Sequence, residues 1–265
     1  MAEKRTRMRH HSVSLNLILL AVVSLSSAIF VQTVGLPGAA KAQTKVTTPD
    51  LSGIWSRRAG ATGPDFLSDT KKPEPLMTPW AEAEYKKIRE SYTSTPTGYL
   101  NDPVFNCMPP GVPRVYSIDF EGIMEIIQLP GRVLQIFEFD HYVRQIYTDG
   151  RAHDENLPPT WMGDSIGKWE GDTLVVDSTD FNDKTRLDRL GHPHSVAFHL
   201  IERIRRVSKD KLSVDITIED PKAYLKPWGG QLTYALKPDW KIMEFMCQDN
   251  HTFDQFTEES AKPSN

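Results

Sequence analysis

The sequence has little of what marks several specialised protein classes. It contains 2 cysteines in 265 residues, which is too few for a disulfide-stapled miniprotein or a four-thiolate zinc site. Its 16 glycines and 19 prolines, with 39% hydrophobic and 25% charged residues, exclude collagen-like, coiled-coil and broadly disordered chains. We find no internal repeat and no low-complexity tract. These absences indicate an ordinary folded domain.

A surplus of positive charge is also missing. The formal net charge is −4 at pH 7, and the longest local group of cations is Arg203, Arg205 and Arg206. A surface that binds nucleic acid needs more cations than this, so we predict no nucleic-acid partner. Neither a P-loop nor a dinucleotide fingerprint is present. We therefore predict that the protein uses no organic cofactor.

Only one hydrophobic run is long enough to cross a bilayer, and it lies near the N-terminus. It covers residues 15–34, follows a basic head that contains Arg5 and Arg7, and precedes small residues at Ala40 and Ala42. This pattern is typical of a secretory signal peptide. We predict that residues 1–42 are removed and that the mature protein is periplasmic or secreted, with no membrane association. The alternative is an uncleaved anchor, because the run reaches the length of a spanning helix.

Export bears on the state of the two cysteines. In an oxidising compartment, two thiols in a mature chain most simply form one disulfide, and we predict a bond between Cys107 and Cys247. The alternative is a pair of buried free thiols. No histidine is next to either cysteine in the sequence, so neither is expected to be a nucleophile.

Residues 43–265 are enough for one domain. Within it, residues 60–113 are rich in proline and predict a long loop interrupted by one helix. Thr78 is typical of a helix N-cap and Pro79 of the first helical position. The helix is expected to end near Glu90.

From residue 122 onward the apolar residues alternate with polar ones, which is the period of a half-buried strand. With an opening strand before the helix, the pattern predicts about ten strands: Leu51–Trp55, Gly122–Leu129, Arg132–Phe139, His141–Tyr147, Ser165–Trp169, Thr173–Ser178, Val196–Val207, Leu212–Glu219, Gln231–Leu236 and Ile242–Cys247. Short turns join most of them. The sequence therefore predicts a mainly β fold, an antiparallel meander that closes into a barrel or a strongly curled sheet.

The segment Gly163–Gly167 matches the pattern G-x-S-x-G, with Ser165 in the place of a nucleophile. In α/β-hydrolases that serine needs a strand before it and a helix after it. Here a hairpin is predicted to follow. We therefore interpret the segment as a turn that enters a strand.

Groups that move protons near neutral pH are concentrated between residues 179 and 206. We predict catalytic roles for His194, His199, Glu202 and Asp188. Glu202 would share a strand face with apolar neighbours, where a carboxylate must be paired, protonated or catalytic, and an ion pair with an arginine is the alternative to catalysis. A zinc site made of His192, His194, His199 and Glu202 is an alternative if the fold gathers these side chains, but we predict no metal.

A second group of polar residues follows the turn at residues 149–150. Arg151 and His153 lie there, and we predict that they hold a substrate oxygen at the mouth of the barrel. Tyr147 and Trp161 are predicted to line the same binding site. The alternative is that Arg151 and His153 are exposed loop residues and that the aromatic rings belong to the core.

Seven segments together resemble a large family of exported bacterial proteins that is generally labelled uncharacterised. They are residues 49–55 (PDLSGIW), 107–114 (CMPPGVPR), 146–153 (IYTDGRAH), 163–177 (GDSIGKWEGDTLVVD), 188–195 (DRLGHPHS), 199–203 (HLIER) and 218–224 (IEDPKAY). The segment Gly53-Ile54-Trp55 is also similar to the Gly-x-Trp start of lipocalin-like barrels. The family resemblance implies export but no particular activity. It favours His153, Asp188, His194, His199 and Glu202 over His141, His192 and His251. The family pattern often has a histidine where this chain has Asp164, so the resemblance implies no catalytic role at that position.

These observations predict an exported enzyme that acts by acid–base chemistry on an apolar aromatic or terpenoid small molecule. Lyase, dehydratase, isomerase and decarboxylase reactions are all compatible with such a site. One alternative is a non-catalytic, lipocalin-like carrier of a hydrophobic ligand. A second is a metal-dependent hydrolase that uses the histidines and Glu202. A homo-oligomer is compatible with each of these cases, because the sequence does not determine the oligomeric state.

Overall fold

Nine short strands wind into a closed barrel in the computed structural model, which describes residues 48–57, 73–118 and 122–249. The described residues belong to one compact unit. The predicted signal peptide, residues 1–42, lies outside the described residues, as does most of the predicted loop before the helix.

The elements have the following bounds. The strands are β1 (Gly53–Ser56), β2 (Met124–Leu129), β3 (Arg132–Phe137), β4 (Val143–Tyr147), β5 (Asp164–Glu170), β6 (Thr173–Thr179), β7 (His199–Ser208), β8 (Lys211–Glu219) and β9 (Trp228–Leu236), and the one α-helix described is α1 (Pro79–Thr93). Three single turns of 3-10 helix, Gly98–Asn101, Pro103–Asn106 and Arg114–Ser117, lie between α1 and β2. The prediction of a mainly β barrel with one helix in the first half is confirmed.

The barrel closes because β1 pairs with both β2 and β9. Neighbouring strands run antiparallel except for β4 and β5, which meet in parallel at Tyr147 and Ile166. A ring with an odd number of alternating strands must contain one parallel pair. Parallel neighbours need a long return connection, and residues 148–163 provide it. The meander predicted from the sequence is therefore interrupted once.

Helix α1 begins where the sequence predicts. The Thr78 hydroxyl accepts a hydrogen bond from the backbone N–H of Ala81 (3.3 Å) and donates one to the carbonyl of Lys222 (2.8 Å). The N-cap therefore also fastens the helix to the segment after β8. The helix continues past Glu90 to Thr93, and it buries Ala81, Ile88 and Tyr92. Trp80, in the first turn, is 46% exposed.

The prediction of a tenth strand at Ile242–Cys247 is wrong. The segment makes one isolated bridge, between Phe139 and Phe245. Its alternating apolar residues have no sheet edge to join, because β1 and β9 already pair with each other. The predicted strand at Val196–Val207 also begins later, at His199, because the N–H groups of Ser195 and Ala197 bond to side-chain oxygens instead of to a neighbouring strand.

Inward-facing residues fill the barrel. Val133, Leu174, Val176, Leu200, Ile204, Leu212, Val214, Ile216 and Leu232 are among the side chains of one continuous buried cluster. Trp55 belongs to this cluster and has no exposed surface; its indole N–H donates to the carbonyl of Leu51 (3.0 Å) and the Arg206 guanidinium lies 5.2 Å from the ring centre. The tryptophan of the Gly-x-Trp segment is therefore a core residue.

Cys107 and Cys247 form a disulfide, as predicted, with their Cα atoms 5.6 Å apart. Val104 and Phe139 pack beside it in a second, smaller buried cluster. The bond joins the segment after α1 to the segment after β9. Among the described helices, none has the length and hydrophobicity needed to cross a membrane.

Candidate functional site

A polar network lies inside the barrel, where Glu202 was predicted to share a face with apolar residues. The Glu202 carboxylate accepts two hydrogen bonds from Arg144, one of them 3.0 Å long, and a third from the Tyr116 hydroxyl (2.6 Å). Neither Arg144 nor Glu202 is more than 2% exposed. The inward positions of β4 and β7 place the two charges opposite each other. The carboxylate is therefore paired, as one of the two sequence-based interpretations proposed.

Every donor of the Arg144 guanidinium group that faces this network has a partner. Its Nε donates to Ser165 (3.1 Å), Nη1 donates to Gln135 (3.1 Å) and Tyr116 (3.0 Å), and Nη2 donates to Ser178 (2.8 Å). Burial alone would lower the pKa of Arg144, but Glu202 and Tyr116 outweigh burial and raise it. Burial, reinforced by Glu202, raises the pKa of Tyr116, which keeps its hydroxyl protonated as a donor. Because its hydrogen bonds are satisfied within the protein, this network stabilises the fold and has no donor or acceptor left to bind a ligand.

Ser165 of the G-x-S-x-G segment belongs to this network. It is buried on β5, it contacts the Ser178 hydroxyl at 3.0 Å, and a second strand follows it. No helix begins after it, so the turn-and-strand interpretation is correct.

His153 and His199 meet on the outer wall of the barrel. Their Nε2 atoms each lie 3.0 Å from the same oxygen of Asp177, on β6. The remaining nitrogens contact Asp164 (2.8 Å, from His153) and Glu219 (3.2 Å, from His199). Acids and imidazoles therefore alternate along a chain of five side chains. The structure brings together two predicted site residues here, on a convex surface rather than in a pocket.

The acids of this chain were missed by the sequence analysis. Asp177 follows a run of β-forming residues, and a carboxylate at an outward position of such a strand is indistinguishable in sequence from a solvated one. The Asp164 and Asp177 hydrogen bonds raise the pKa of His153 despite its partial burial, which acts in the opposite direction. The charged form of His153 is thus favoured beside two carboxylates.

Arg151 and Tyr147 contact each other, apart from the other predicted residues. The Arg151 guanidinium lies 3.8 Å from the centre of the Tyr147 ring and donates to both oxygens of Asp149, at 2.9 and 3.1 Å from Nε. Arg151 is exposed. Because its donors are used within its own turn, the side chain does not converge with His194 or Asp188.

Asp188 bonds to His192 rather than to His194. Its Oδ2 contacts His192 Nδ1 at 2.7 Å, and its Oδ1 accepts the backbone N–H groups of residues 190, 191 and 192. His192 Nε2 contacts Glu74 at 2.6 Å, and the ring of Tyr85 stacks on the imidazole with 4.3 Å between centres. Asp188 therefore shapes the loop and fastens it to α1 and the segment before it.

A cavity of about 330 Å³ opens between α1 and the loop that follows β6. Its lining combines apolar side chains with several ionisable groups. The lining residues are Trp80, Glu84, Ile88, Asp183, Arg186, Pro193, His194, Ser195 and Val196. A volume of this size accommodates a small molecule. His194 is the one residue of the four predicted catalytic side chains that lines it.

The hydrogen bonds of His194 define its tautomer. Nδ1 lies 3.1 Å from the backbone carbonyl of Ser195, which can only accept, so Nδ1 carries the hydrogen. In the neutral ring Nε2 is then an acceptor, and the Thr185 hydroxyl, 2.6 Å away, donates to it. The ring also packs against Phe198, with 4.9 Å between centres.

Burial lowers the pKa of His194, and the positive charge of Arg186 acts in the same direction. The imidazole is therefore neutral at physiological pH and keeps a basic nitrogen. A hydroxyl that donates to a neutral imidazole is the arrangement from which an oxygen is activated or a proton relayed. Sequence reasoning identified His194 but not Thr185, whose role depends on a loop that brings positions 185 and 194 together.

The absence of a side chain at Gly111 allows the segment between α1 and β2 to pass close to Thr185. The φ of this glycine is +69°, and a side chain there would meet the Thr185 methyl group at 2.9 Å and the carbonyl of Trp161 at 2.8 Å. The predicted binding residue Trp161 therefore lies behind the Thr185–His194 pair rather than in the cavity. The Lys184 ammonium group is 5.8 Å from the centre of its ring.

The predicted site residues thus lie in separate places. Glu202 is inside the barrel, His153 and His199 are on its outer wall, Asp188 supports a loop and His194 lines the cavity. The structure does not bring them together at the mouth of the barrel, because the barrel interior is filled and the loops are held by their own hydrogen bonds. Among the described residues, no three His, Cys, Asp or Glu side chains have an arrangement that could hold a metal ion.

The chain matches no known protein family, no curated protein and no solved structure in the comparisons made by sequence and by fold. The family resemblance noted in the sequence therefore stays a prediction, and the site is interpreted from its own geometry.

Proposed function

We propose that this protein is an acid–base enzyme that binds an apolar small molecule in the cavity between α1 and the loop after β6. The proposal depends on one observation: a neutral imidazole, His194, whose tautomer is fixed by Ser195, lines a cavity that is large enough for such a molecule. The reaction classes predicted from the sequence were lyase, dehydratase, isomerase and decarboxylase. Isomerisation and elimination need a base that removes a proton from carbon, whereas decarboxylation needs an acid that protonates the carbanion left behind, and an imidazole can serve in either role.

The chemistry follows from the basic lone pair of His194 Nε2, which accepts the hydrogen bond from Thr185. His194 Nε2 takes a proton from a substrate carbon, and the electron pair of the broken C–H bond stays on the substrate as a new π bond. The imidazolium then returns the proton to another carbon, which completes an isomerisation, or to a departing oxygen, which completes an elimination. The Thr185 hydroxyl already donates to Nε2. It therefore either passes the proton on or is displaced by the substrate.

The test does not require the substrate to be known in advance. A panel of aromatic and terpenoid carbonyl compounds is incubated with the protein in D2O, and exchange of carbon-bound hydrogen is followed by NMR. We expect exchange for at least one compound and a loss of about 100-fold or more in His194→Asn, the size of effect typical of a general base. Thr185→Val should lower the rate less if the hydroxyl only relays the proton.

His141→Asn is the matched control. His141 lies in the β3–β4 turn with a φ of +50°, a conformation that asparagine tolerates, and its Nε2 contacts the carbonyl of Met243 (3.0 Å), away from the cavity. Exchange that survives in His194→Asn at the rate of the unmodified protein would contradict the proposal.

A non-catalytic carrier is the second candidate. The observation that favours it is that both ring nitrogens of His194 already have partners within the protein. Such a carrier would use the same cavity, since the barrel interior is filled by the core and the Arg144 network. Binding of a panel compound without hydrogen exchange in D2O, and with equal affinity in His194→Asn, would favour the carrier.

We also propose that the protein works outside the cytoplasm. The disulfide between Cys107 and Cys247 is the support, because such bonds persist in oxidising compartments. Cleavage after Ala42 stays a prediction, as does a homo-oligomeric state. N-terminal sequencing of protein secreted by a bacterial host tests the first, with Gln43 expected as the first residue.

A further inference from the structure

Arg186 lines the cavity beside His194 and has no acidic partner. Its Nη1 donates to the carbonyl of Thr185 (3.2 Å), and its Nε is buried without a hydrogen bond. Among the described residues, no carboxylate lies within ion-pair distance of this guanidinium group. A partly buried cation normally has a counter-charge, because removing it from water is costly otherwise.

Two more buried donors nearby also lack partners. The Tyr92 hydroxyl and the Arg114 Nε are enclosed with no hydrogen bond, and the two residues are 8% and 3% exposed. Arg114 and Arg186 both lie close enough to the Tyr92 hydroxyl to act on its pKa. Only one carboxylate pairs with the two arginines in the described part of the chain, that of Asp102 with Arg114 (3.0 Å). Arg186, which lines the cavity, therefore has a second arginine and two further donors without hydrogen bonds in its neighbourhood, although Tyr92 and Arg114 do not line the cavity themselves.

The two acids that line the cavity do not supply the missing counter-charge. Asp183 is exposed, and the Glu84 carboxylate lies 3.7 Å from the Lys87 ammonium group on the surface of α1. The lining also includes two exposed apolar side chains, Trp80 (46%) and Val196 (55%). Ile88 and Pro193 are buried beneath them.

We propose that the ligand of this cavity is an apolar carboxylic acid, whose carboxylate binds Arg186 and whose hydrocarbon part lies against Trp80 and Val196. This inference rests on the proposed site and adds its substrate class. Guanidinium groups bind carboxylates through charge-assisted hydrogen bonds, and Nη2 of Arg186, which is not buried and makes no hydrogen bond within the described part of the chain, is such a donor. His194 would then lie beside the carbons next to the carboxylate.

The proposal also narrows the reaction. A guanidinium group that holds the carboxylate stabilises its charge, and loss of carbon dioxide would remove the group that is held. Isomerisation and elimination keep the carboxylate throughout. A decarboxylase is therefore the least compatible of the four reaction classes.

The test compares acids with their uncharged amides. Binding of cinnamate, cinnamamide, geranate and geranamide to the full-length mature protein is measured by isothermal titration calorimetry. We expect at least one acid to bind roughly 10- to 100-fold more tightly than its own amide, the range for a hydrogen bond to a charged group. The preference should disappear in Arg186→Gln and be partly kept in Arg186→Lys. Equal affinity within both pairs, or no binding of either acid, overturns the proposal.

Arg189→Gln is the matched control, because it removes the same charge from an exposed position three residues away and should leave the preference unchanged. His194→Asn separates the two proposals. If the acid preference persists in wild type and in His194→Asn but no compound exchanges hydrogen in D2O, the carboxylate site stands and the catalytic function fails. If a neutral compound exchanges hydrogen in a His194-dependent way and no acid is preferred, the carboxylate site fails and the function stands.

Discussion

The barrel interior and the cavity beside α1 each contain an arginine, but the two guanidinium groups differ in how many of their donors have a partner in the protein. Inside the barrel, Arg144 has a carboxylate, a phenol, an amide and two hydroxyls around it, and all of them bond to it. In the cavity, Arg186 bonds to one backbone carbonyl and its Nε has no partner. The difference separates a charge that supports the fold from one that is free to bind a ligand.

Access to solvent explains why both arrangements persist. A sheet that closes around a charge excludes water, so each donor inside must find a partner in the protein. A loop beside an open cavity allows solvent or a ligand to complete the set of bonds. The comparison predicts that changes inside the barrel affect stability, whereas changes at the cavity affect binding and leave stability nearly unchanged.

The largest effect is expected for Glu202→Gln. Removing the carboxylate leaves the Arg144 charge buried without compensation, a change that typically costs about 3–5 kcal/mol. The free energy of unfolding in urea measures it. Glu170→Gln is the control, because Glu170 pairs with Arg203 at 3.0 Å on the surface, where each side chain is 49% exposed, and such pairs contribute about 1 kcal/mol or less. Equal losses in the two variants would contradict a structural role for the interior network.

The disulfide should come next. Cys107 and Cys247 are separated by 140 residues, and the chain-entropy model gives about 4 kcal/mol or more for a loop of that length, with measured values often lower. We expect the double variant Cys107→Ala, Cys247→Ala to lose about 2–4 kcal/mol of unfolding free energy. Because neither cysteine lines the cavity, the preference for acids over amides should not change in the same variant. A loss of that preference would link the disulfide to the cavity.

Thr78→Ala tests the wall of the cavity. The hydroxyl caps α1 and donates to the carbonyl of Lys222, so its loss should cost about 1 kcal/mol in thermal or urea unfolding. Ligand affinity should fall as well, since α1 forms one side of the cavity. Thr93→Ala is the comparison, because Thr93 bonds only to the preceding turn (2.8 Å to the carbonyl of Arg89) at the other end of the same helix. An equal fall in affinity in both variants would argue against a specific role for the cap.

The smallest effects concern the pH dependence of stability, which is expected to have opposite signs for His194 and His153. The ordinary histidine pKa is 6.5, and that of His194 is lowered by burial. Below 6.5 the unfolded chain therefore binds a proton that folded His194 does not, and stability is lost as the pH falls toward the lowered pKa. The pKa of His153 is raised above 6.5, so its contribution is fully present below 6.5 and is lost as the pH rises through the raised value.

The measurement is the difference in unfolding free energy between wild type and each variant, His194→Gln or His153→Gln, from about pH 5 to pH 8. The two differences should change with pH in opposite directions. NMR titration of the two imidazoles provides an independent check. Parallel changes would show that the two environments do not differ as described.

Much of the fold could be predicted from the sequence because its signals are local. The alternation in Leu212, Val214 and Ile216 defines a strand with one buried face, and Thr78-Pro79 defines the start of the helix. The tenth strand could not be excluded in the same way. Its residues have the right pattern, but whether a strand forms depends on a free sheet edge, and the pairing of β1 with β9 removed it.

The candidate site was less predictable. His194 was identified because imidazoles are rare and chemically distinctive, whereas Thr185 and Arg186 resemble any polar loop residues in sequence. Asp188 was expected to assist His194, but the loop places it against His192. The spacing of residues in a loop does not determine which side chains meet, because each turn is set by hydrogen bonds to groups far away in the chain.

The sequence by itself determined where the helix and nine of the ten predicted strands lie, and that Glu202 shares a face with apolar residues, because these follow from the two-residue period of a strand and from local capping. Only the tertiary structure decided that Glu202 meets Arg144, that His153 and His199 share Asp177, and that Arg186 lines a cavity without a counter-charge. Those outcomes depend on which distant segments are brought side by side when the barrel closes, and local patterns carry no information about that.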